Sequence, residues 1–245
     1  MISATAMSSR YLLSGIIFFI LFGACSAEKP VEPKKPAPAV VLKPRHALLS
    51  GEQRKELGFP PDLIAKVELA SGAEAEPFFV TVLMHTDNLK GEKGFESKKL
   101  AGFSVHTQMF DDVIKTLRAP LRAQGYLIFK SHRGYGHLPD IVTVVRGNNS
   151  YDILKVQSTE APNYRLDTKA IIAWLKVQQK QGTFVIMGAG PDWLEARFIK
   201  PPRNMLAFAR KVNAFAPDVV AQGSQTVEKL ADRMKRMNGF YLIWD

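Results

Sequence analysis

Apolar residues recur along this chain at two spacings, and the switches between them mark out its elements. Phe184 to Met187 is an unbroken apolar run, the pattern of a strand buried on both faces, and Gly188, Gly190 and Pro191 end it with turn chemistry. From Trp193 to Lys200 the period is two. Leu194, Ala196 and Phe198 fall on one face, with Trp193, Glu195 and Arg197 on the other. This hairpin is read as the centre of the fold. Strands are also predicted at 78–85, 126–130, 141–146 and 240–245, while 152–157 fits either a helical turn or a strand.

Helical spacing appears between these runs. Phe110, Val113, Ile114, Leu117 and Leu121 form one apolar stripe, predicting a helix over about 105–118 that Pro120 kinks or ends. Ile171, Ile172 and Leu175 form another behind a capping Asp167. Met205, Phe208, Ala209 and Val212 predict a helix over 202–215 opened by Pro201 and Pro202, and Val227, Leu230, Ala231 and Met234 predict the last one. Near the start, Ser50 and Gln53 have capping-box spacing, Gly58 sits where a C-terminal cap belongs, and Pro60 and Pro61 open a second helix. The Lys-, Gly- and Glu-rich stretch 88–102 reads as a loop and an internal boundary. Interleaved helices and strands predict an α/β or α+β fold, a single mostly antiparallel central sheet with amphipathic helices packed on it.

The amino-terminal residues belong to another class. Tyr11 to Phe22 is apolar, too short to span a bilayer comfortably, and preceded by the single charge Arg10, as in a signal peptide. It runs into Gly23-Ala24-Cys25-Ser26, which holds the only cysteine. This resembles the lipobox of bacterial lipoproteins, with Phe22 standing where that family usually has Leu. The resemblance implies cleavage before Cys25, acylation of its thiol by a chain such as palmitate, and, from Ser26, an outer-membrane position facing the periplasm. With that thiol lipidated, no disulfide, cysteine nucleophile or thiolate metal site remains. Five prolines between Ala27 and Arg45 make an extended tether. The expected organisation is therefore a signal peptide over 1–24, a tether over 25–45, an extension over 46–102 packing on the core, and a main domain over 103–245.

The formal charge is +10, of which the signal's Arg10 supplies one, so the mature chain carries +9. Such a balance suits anionic headgroups, acidic envelope polymers or an acidic protein partner. An exported protein rarely meets nucleic acid, so none is expected as a partner.

From about Phe103 onward the chain resembles a bacterial family catalogued as domain of unknown function 4253. The carrying residues include Gly125-Tyr126-Leu127-Ile128-Phe129, Tyr151-Asp152-Ile153-Leu154, Gly188-Ala189-Gly190-Pro191-Asp192-Trp193-Leu194-Glu195, Pro217-Asp218-Val219-Val220 and Tyr241-Leu242-Ile243-Trp244-Asp245. The resemblance implies a domain and brings neither a reaction nor catalytic residues.

Candidate chemistry is sparse. Gly188-Ala189-Gly190 fails as a dinucleotide loop, since its third glycine would be Trp193 and a strand follows where a helix should. No G-x-S-x-G occurs, and all five histidines lie at or before His137, so a serine triad would span both halves. Asp192, Glu195 and Asp218 are the carboxylates to test for hydrolysis, against ordinary roles: Asp218 as a helix cap and Glu195 as a partner of Arg197. The loop carrying His132, Arg133, Tyr135 and His137 offers imidazoles, a guanidinium and a phenol to a partner. It lacks a third ligand in reach for a metal. With Trp193 it forms the candidate binding surface; no metal and no cofactor are expected. The function expected is a non-catalytic, membrane-tethered protein-binding domain, immunity-like in setting. The alternative is an envelope hydrolase or transferase using acids near the 188–195 turn.

Overall fold

Strand pairing organises the molecule into one seven-stranded sheet of order β1-β2-β4-β3-β5-β6-β7. The computed structural model describes residues 47–84 and 95–245; the signal peptide, Cys25, the tether and residues 88–94 of the expected loop lie outside them. The strands are β1 (Glu76–Met84), β2 (Phe95–Thr107), β3 (Tyr126–His132), β4 (Asp140–Arg146), β5 (Thr183–Ala189), β6 (Trp193–Lys200) and β7 (Gly239–Ile243). Every adjacent pair is antiparallel except β3 with β5, which are parallel. The fold is α+β on a mostly antiparallel sheet, as the spacing predicts.

Helices cover both faces. On one lie α1 (Gly51–Leu57), α2 (Pro61–Ser71) and α3 (Phe110–Ala123), packed over Phe103, Val105, Ile128, Val142 and Val144. On the other lie α4 (Asp152–Val156), α5 (Thr168–Gln178), α6 (Met205–Phe215) and α7 (Val227–Met237), over Phe129, Ile186, Leu194, Phe198, Phe240 and Leu242. Among the described residues, no helix is long and apolar enough to cross a membrane.

Local chemistry explains most of these boundaries. The Ser50–Gln53 capping box forms, and Gly58 closes α1 in the left-handed region at φ 58°. Pro61 opens α2 and Asp167 caps α5 through the Ala170 N–H. The alternation of β6 emerges as read, with Leu194, Ala196 and Phe198 buried on the α6–α7 side.

Four expectations are corrected. Residues 95–107 form a strand, running across the boundary expected at 102–103: pairing with β1 and β4 supplies a ladder that outweighs the low strand propensity of Lys98, Lys99 and Gly102. The helix expected from Val105 therefore starts at Phe110, and it carries Pro120 inside it to Ala123. The helix after β6 starts at Met205, where Asn204 accepts from the Ala207 N–H, and the two prolines stay in the connection. The 184–200 hairpin takes the fifth and sixth positions of the sheet, next to its β7 edge rather than at its middle.

Candidate functional site

A row of residues on the α3 side of the sheet defines the site. Lys130 of β3 is in register with Gly188 of β5, Gly188 with Glu195 of β6, and Glu195 with Tyr241 of β7. Because Gly188 has no side chain, the Lys130 side chain lies along the sheet toward Glu195. Its Nζ is 3.5 Å from Glu195 Oε2 and 3.0 Å from Asp140 Oδ2. It also stands 4.0 Å from the centre of the Phe110 ring. A β-bulge between Ile186 and Gly188 turns both Met187 and Gly188 to this part of the ladder.

These side chains are poorly solvated: Lys130 is 8% exposed and Glu195 9%. Glu195 Oε2 accepts no hydrogen bond, so its partner is the Lys130 charge alone. The cluster opens into a cavity of about 330 Å³ lined also by Gln108, Asp111, Asp112 and Arg197. Arg197 reaches Asp111 of α3 at 2.8 Å, so the expected Glu195–Arg197 pair gives way to two pairs across elements. α3 is held over the cavity by Arg118, which donates to the Ile186 carbonyl at 3.2 Å. Burial lowers the Arg118 pKa, and Arg122 and Arg197 add to that.

Asp140 serves two groups. While Oδ2 pairs with Lys130, Oδ1 accepts from the Gly134 N–H at 2.9 Å and ties down the loop between β3 and β4. A Cβ on Gly134 would collide with the Leu138 carbonyl, so the tight turn requires glycine. Tyr135 follows at φ 51° and is 69% exposed. Arg133 folds back over the sheet: its guanidinium lies 4.3 Å from the Tyr241 ring, 5.5 Å from Tyr135 and 5.8 Å from Trp193. Of the binding residues expected from sequence, Arg133, Tyr135 and Trp193 come together, while His132 and His137 are exposed and outside this cluster.

A second cavity, about 220 Å³, continues from Arg133 and Tyr135 past Tyr241 to α7 and to a short π-helical segment, Val219–Ser224. Tyr241 Oη is buried there without a hydrogen bond. Burial pushes that phenol's pKa up more than neighbouring Arg133 pulls it down. Asp218 lines this cavity, not the one at Glu195, and its side chain makes no helix cap. Instead its Oδ2 accepts from the Tyr164 hydroxyl at 2.8 Å and from the Asp245 N–H at 2.8 Å. Asp192 is exposed and lines neither cavity. The three acids expected as a catalytic set therefore stand apart, and the carboxylate beside Glu195 is Asp140.

Other chemistry is limited. His106 approaches Glu76 at 3.4 Å, a histidine–carboxylate pair, but the nearby Ser104 hydroxyl is engaged with Thr143 at 2.7 Å. Among the described residues, no group of three or more His, Cys, Asp or Glu is placed to hold a metal ion.

Fold and site together define an α+β domain with two cavities, a charged one on the α3 side of the sheet and an aromatic and basic one between the β3–β4 loop, β7 and α7. Residues 141–245, which carry β4, β5, β6 and β7, match the family model described as domain of unknown function (DUF4253), so the resemblance read in the sequence from Phe103 is shown over those residues. Nothing matches the chain among curated proteins or among solved structures.

Proposed function

We propose that this chain is a membrane-tethered envelope lipoprotein whose folded part is a non-catalytic protein-binding domain. The observation that supports binding is Arg133: a half-buried guanidinium set against the rings of Tyr241, Trp193 and Tyr135 at the mouth of a groove, with no carboxylate partner among the described residues. Arginine and aromatic residues in such a setting are what binding hot spots are made of, and an unpaired guanidinium selects an acidic partner. The tether reading rests on the sequence around Cys25, which would place the domain at the inner face of the outer membrane.

Affinity capture of the full chain from its own envelope tests the binding reading: one protein partner is expected, released by added salt and lost in Arg133→Glu. Recovery of the same partner by wild type and Arg133→Glu alike overturns it. Detergent phase partitioning tests the tether, with wild type expected in the detergent phase and Cys25→Ala in the aqueous phase.

The alternative, an envelope hydrolase or transferase, draws on Glu195, whose unbonded carboxylate oxygen lies next to Lys130 at a cavity large enough for a small group. Binding is preferred because Lys130 neutralises that carboxylate, and Asp192 and Asp218 do not join it.

A further inference from the structure

The groove beside Tyr241 runs along an unpaired sheet edge. In the β6–β7 ladder the doubly hydrogen-bonded pairs fall on the even-numbered residues of β7. At one end Phe198 N–H donates to the Asn238 carbonyl at 2.8 Å, at the other Trp244 N–H donates to the Asp192 carbonyl at 3.0 Å, and the register between them is unbroken. Alternation in an antiparallel ladder then turns the N–H and C=O groups of Tyr241 and Ile243 away from β6. On that side β7 has no neighbouring strand, and these groups have no other hydrogen-bond partner among the described residues. Both residues line the groove. One wall is Arg133 and Tyr135 from the β3–β4 loop, and the other is Arg233 and Met237 of α7.

We infer that this edge binds an extended acidic segment of a partner protein, which adds to the sheet as an eighth strand. The inference rests on the binding reading above and specifies its partner. Edge N–H and C=O groups supply main-chain hydrogen bonds to any sequence, and the two walls read alternate side chains, the division of labour of strand addition. The charge requirement comes from Arg133 and Arg233, one on each wall, which have no carboxylate partner among the described residues. Asp218, an acid on the lining, is already taken by Tyr164 and the Asp245 N–H. Leu230, Met234 and Phe240 give the α7 side of the groove an apolar floor, so the segment presents acidic residues toward Arg133 in one phase and, in the other, apolar residues with an acid placed for Arg233.

The test uses the full chain in detergent micelles against bead-displayed octapeptides randomised at every position. Peptides with Asp or Glu in one phase, and apolar residues with a single Asp or Glu in the other, are expected to be enriched, and Arg133→Glu or Arg233→Glu is expected to abolish that enrichment. N-methylation of every second peptide nitrogen, in the phase facing β7, is expected to weaken the best peptide roughly tenfold or more, about one lost hydrogen bond per blocked group. The other phase is expected to leave affinity near its starting value. Bound peptide is expected to slow amide exchange at Tyr241 and Ile243. Equal tolerance of both methylation phases, or no slowing at those two amides, overturns strand addition while the binding reading survives. Equal enrichment by wild type and both arginine variants, or none by wild type, overturns the acidic-segment inference. In that case capture of the envelope partner, with its loss in Arg133→Glu, still decides the binding reading separately.

Discussion

Gly188 is the residue over which Lys130 reaches Glu195: a Cβ on Gly188 would lie 2.7 Å from both the Cβ and the carbonyl oxygen of Lys130. The missing side chain therefore does two things. It lets β3 and β5 approach, and it leaves a channel along which an ammonium group meets a carboxylate two strands away. Gly188→Ala is expected to cost about 1–3 kcal/mol, since the contact is with backbone as well as side chain. The measurement is thermal or urea unfolding; a melting temperature equal to wild type would show that the strands absorb the methyl group freely.

Glu195→Gln separates the two functional readings. The amide keeps the size of the side chain and removes its charge, leaving Lys130 paired with Asp140. A modest loss of stability is expected, with partner capture and biological activity largely intact. A general acid or base would behave otherwise, its loss costing about 10²- to 10⁴-fold in rate. A folded Glu195→Gln protein that still captures its partner yet has lost all activity in cells would move the assignment to the enzyme reading. Asp192→Asn, at an exposed position, is expected to change neither readout.

Much of this architecture is legible in the sequence. The alternating face of β6, the stripes of α3, α6 and α7, and the caps at Ser50, Gly58 and Asp167 follow from period and cap chemistry, which are local. β2 was not legible, because its polar middle earns strand status only from the neighbours it pairs with. The site divides in the same way. Arg133, Tyr135 and Trp193 were readable as an aromatic and basic set. Lys130, Asp140 and Tyr241 were missed because their roles depend on register across β3, β5, β6 and β7. A lysine in an otherwise apolar strand, Tyr126-Leu127-Ile128-Phe129-Lys130, was the signal available.

Alkaline titration probes the second cavity. The phenols of Tyr164 and Tyr241 both stand above the ordinary 10.0, Tyr164 chiefly because it donates to Asp218 and Tyr241 chiefly because it is buried. In the unfolded chain both ionise near 10, so above that pH the unfolded state binds fewer protons than the native one. Stability from these phenols is then complete below about pH 10 and is lost as pH rises through the raised native values. Ultraviolet difference titration should show two late tyrosines, and Tyr241→Phe should remove one. All tyrosines ionising together in the folded protein would contradict the burial of Tyr241.

The last strand and the tryptophan that follows it are core elements. Phe240, Leu242 and Trp244 are at most 3% exposed, and Trp244 Nε1 donates to the Phe215 carbonyl at 3.2 Å. Burying each of the three contributes about 1.5–3 kcal/mol, a large part of a typical total of about 5–15 kcal/mol. Deleting Phe240 to Asp245 is expected to abolish the cooperative melt followed by circular dichroism. An unchanged melt would show that β7 is dispensable.

Asp140 fastens the loop at its two ends rather than at its tip, through the Gly134 N–H on one side and its own place at the start of β4 on the other. The turn is held by backbone bonds from His137 and Leu138 to the Gly134 carbonyl, which leaves the exposed side chains of those two residues out of the anchoring. Substitutions there can accumulate while Arg133 stays where it is, so descendants of this chain can drift toward new partners one tip residue at a time without first acquiring a more stable scaffold.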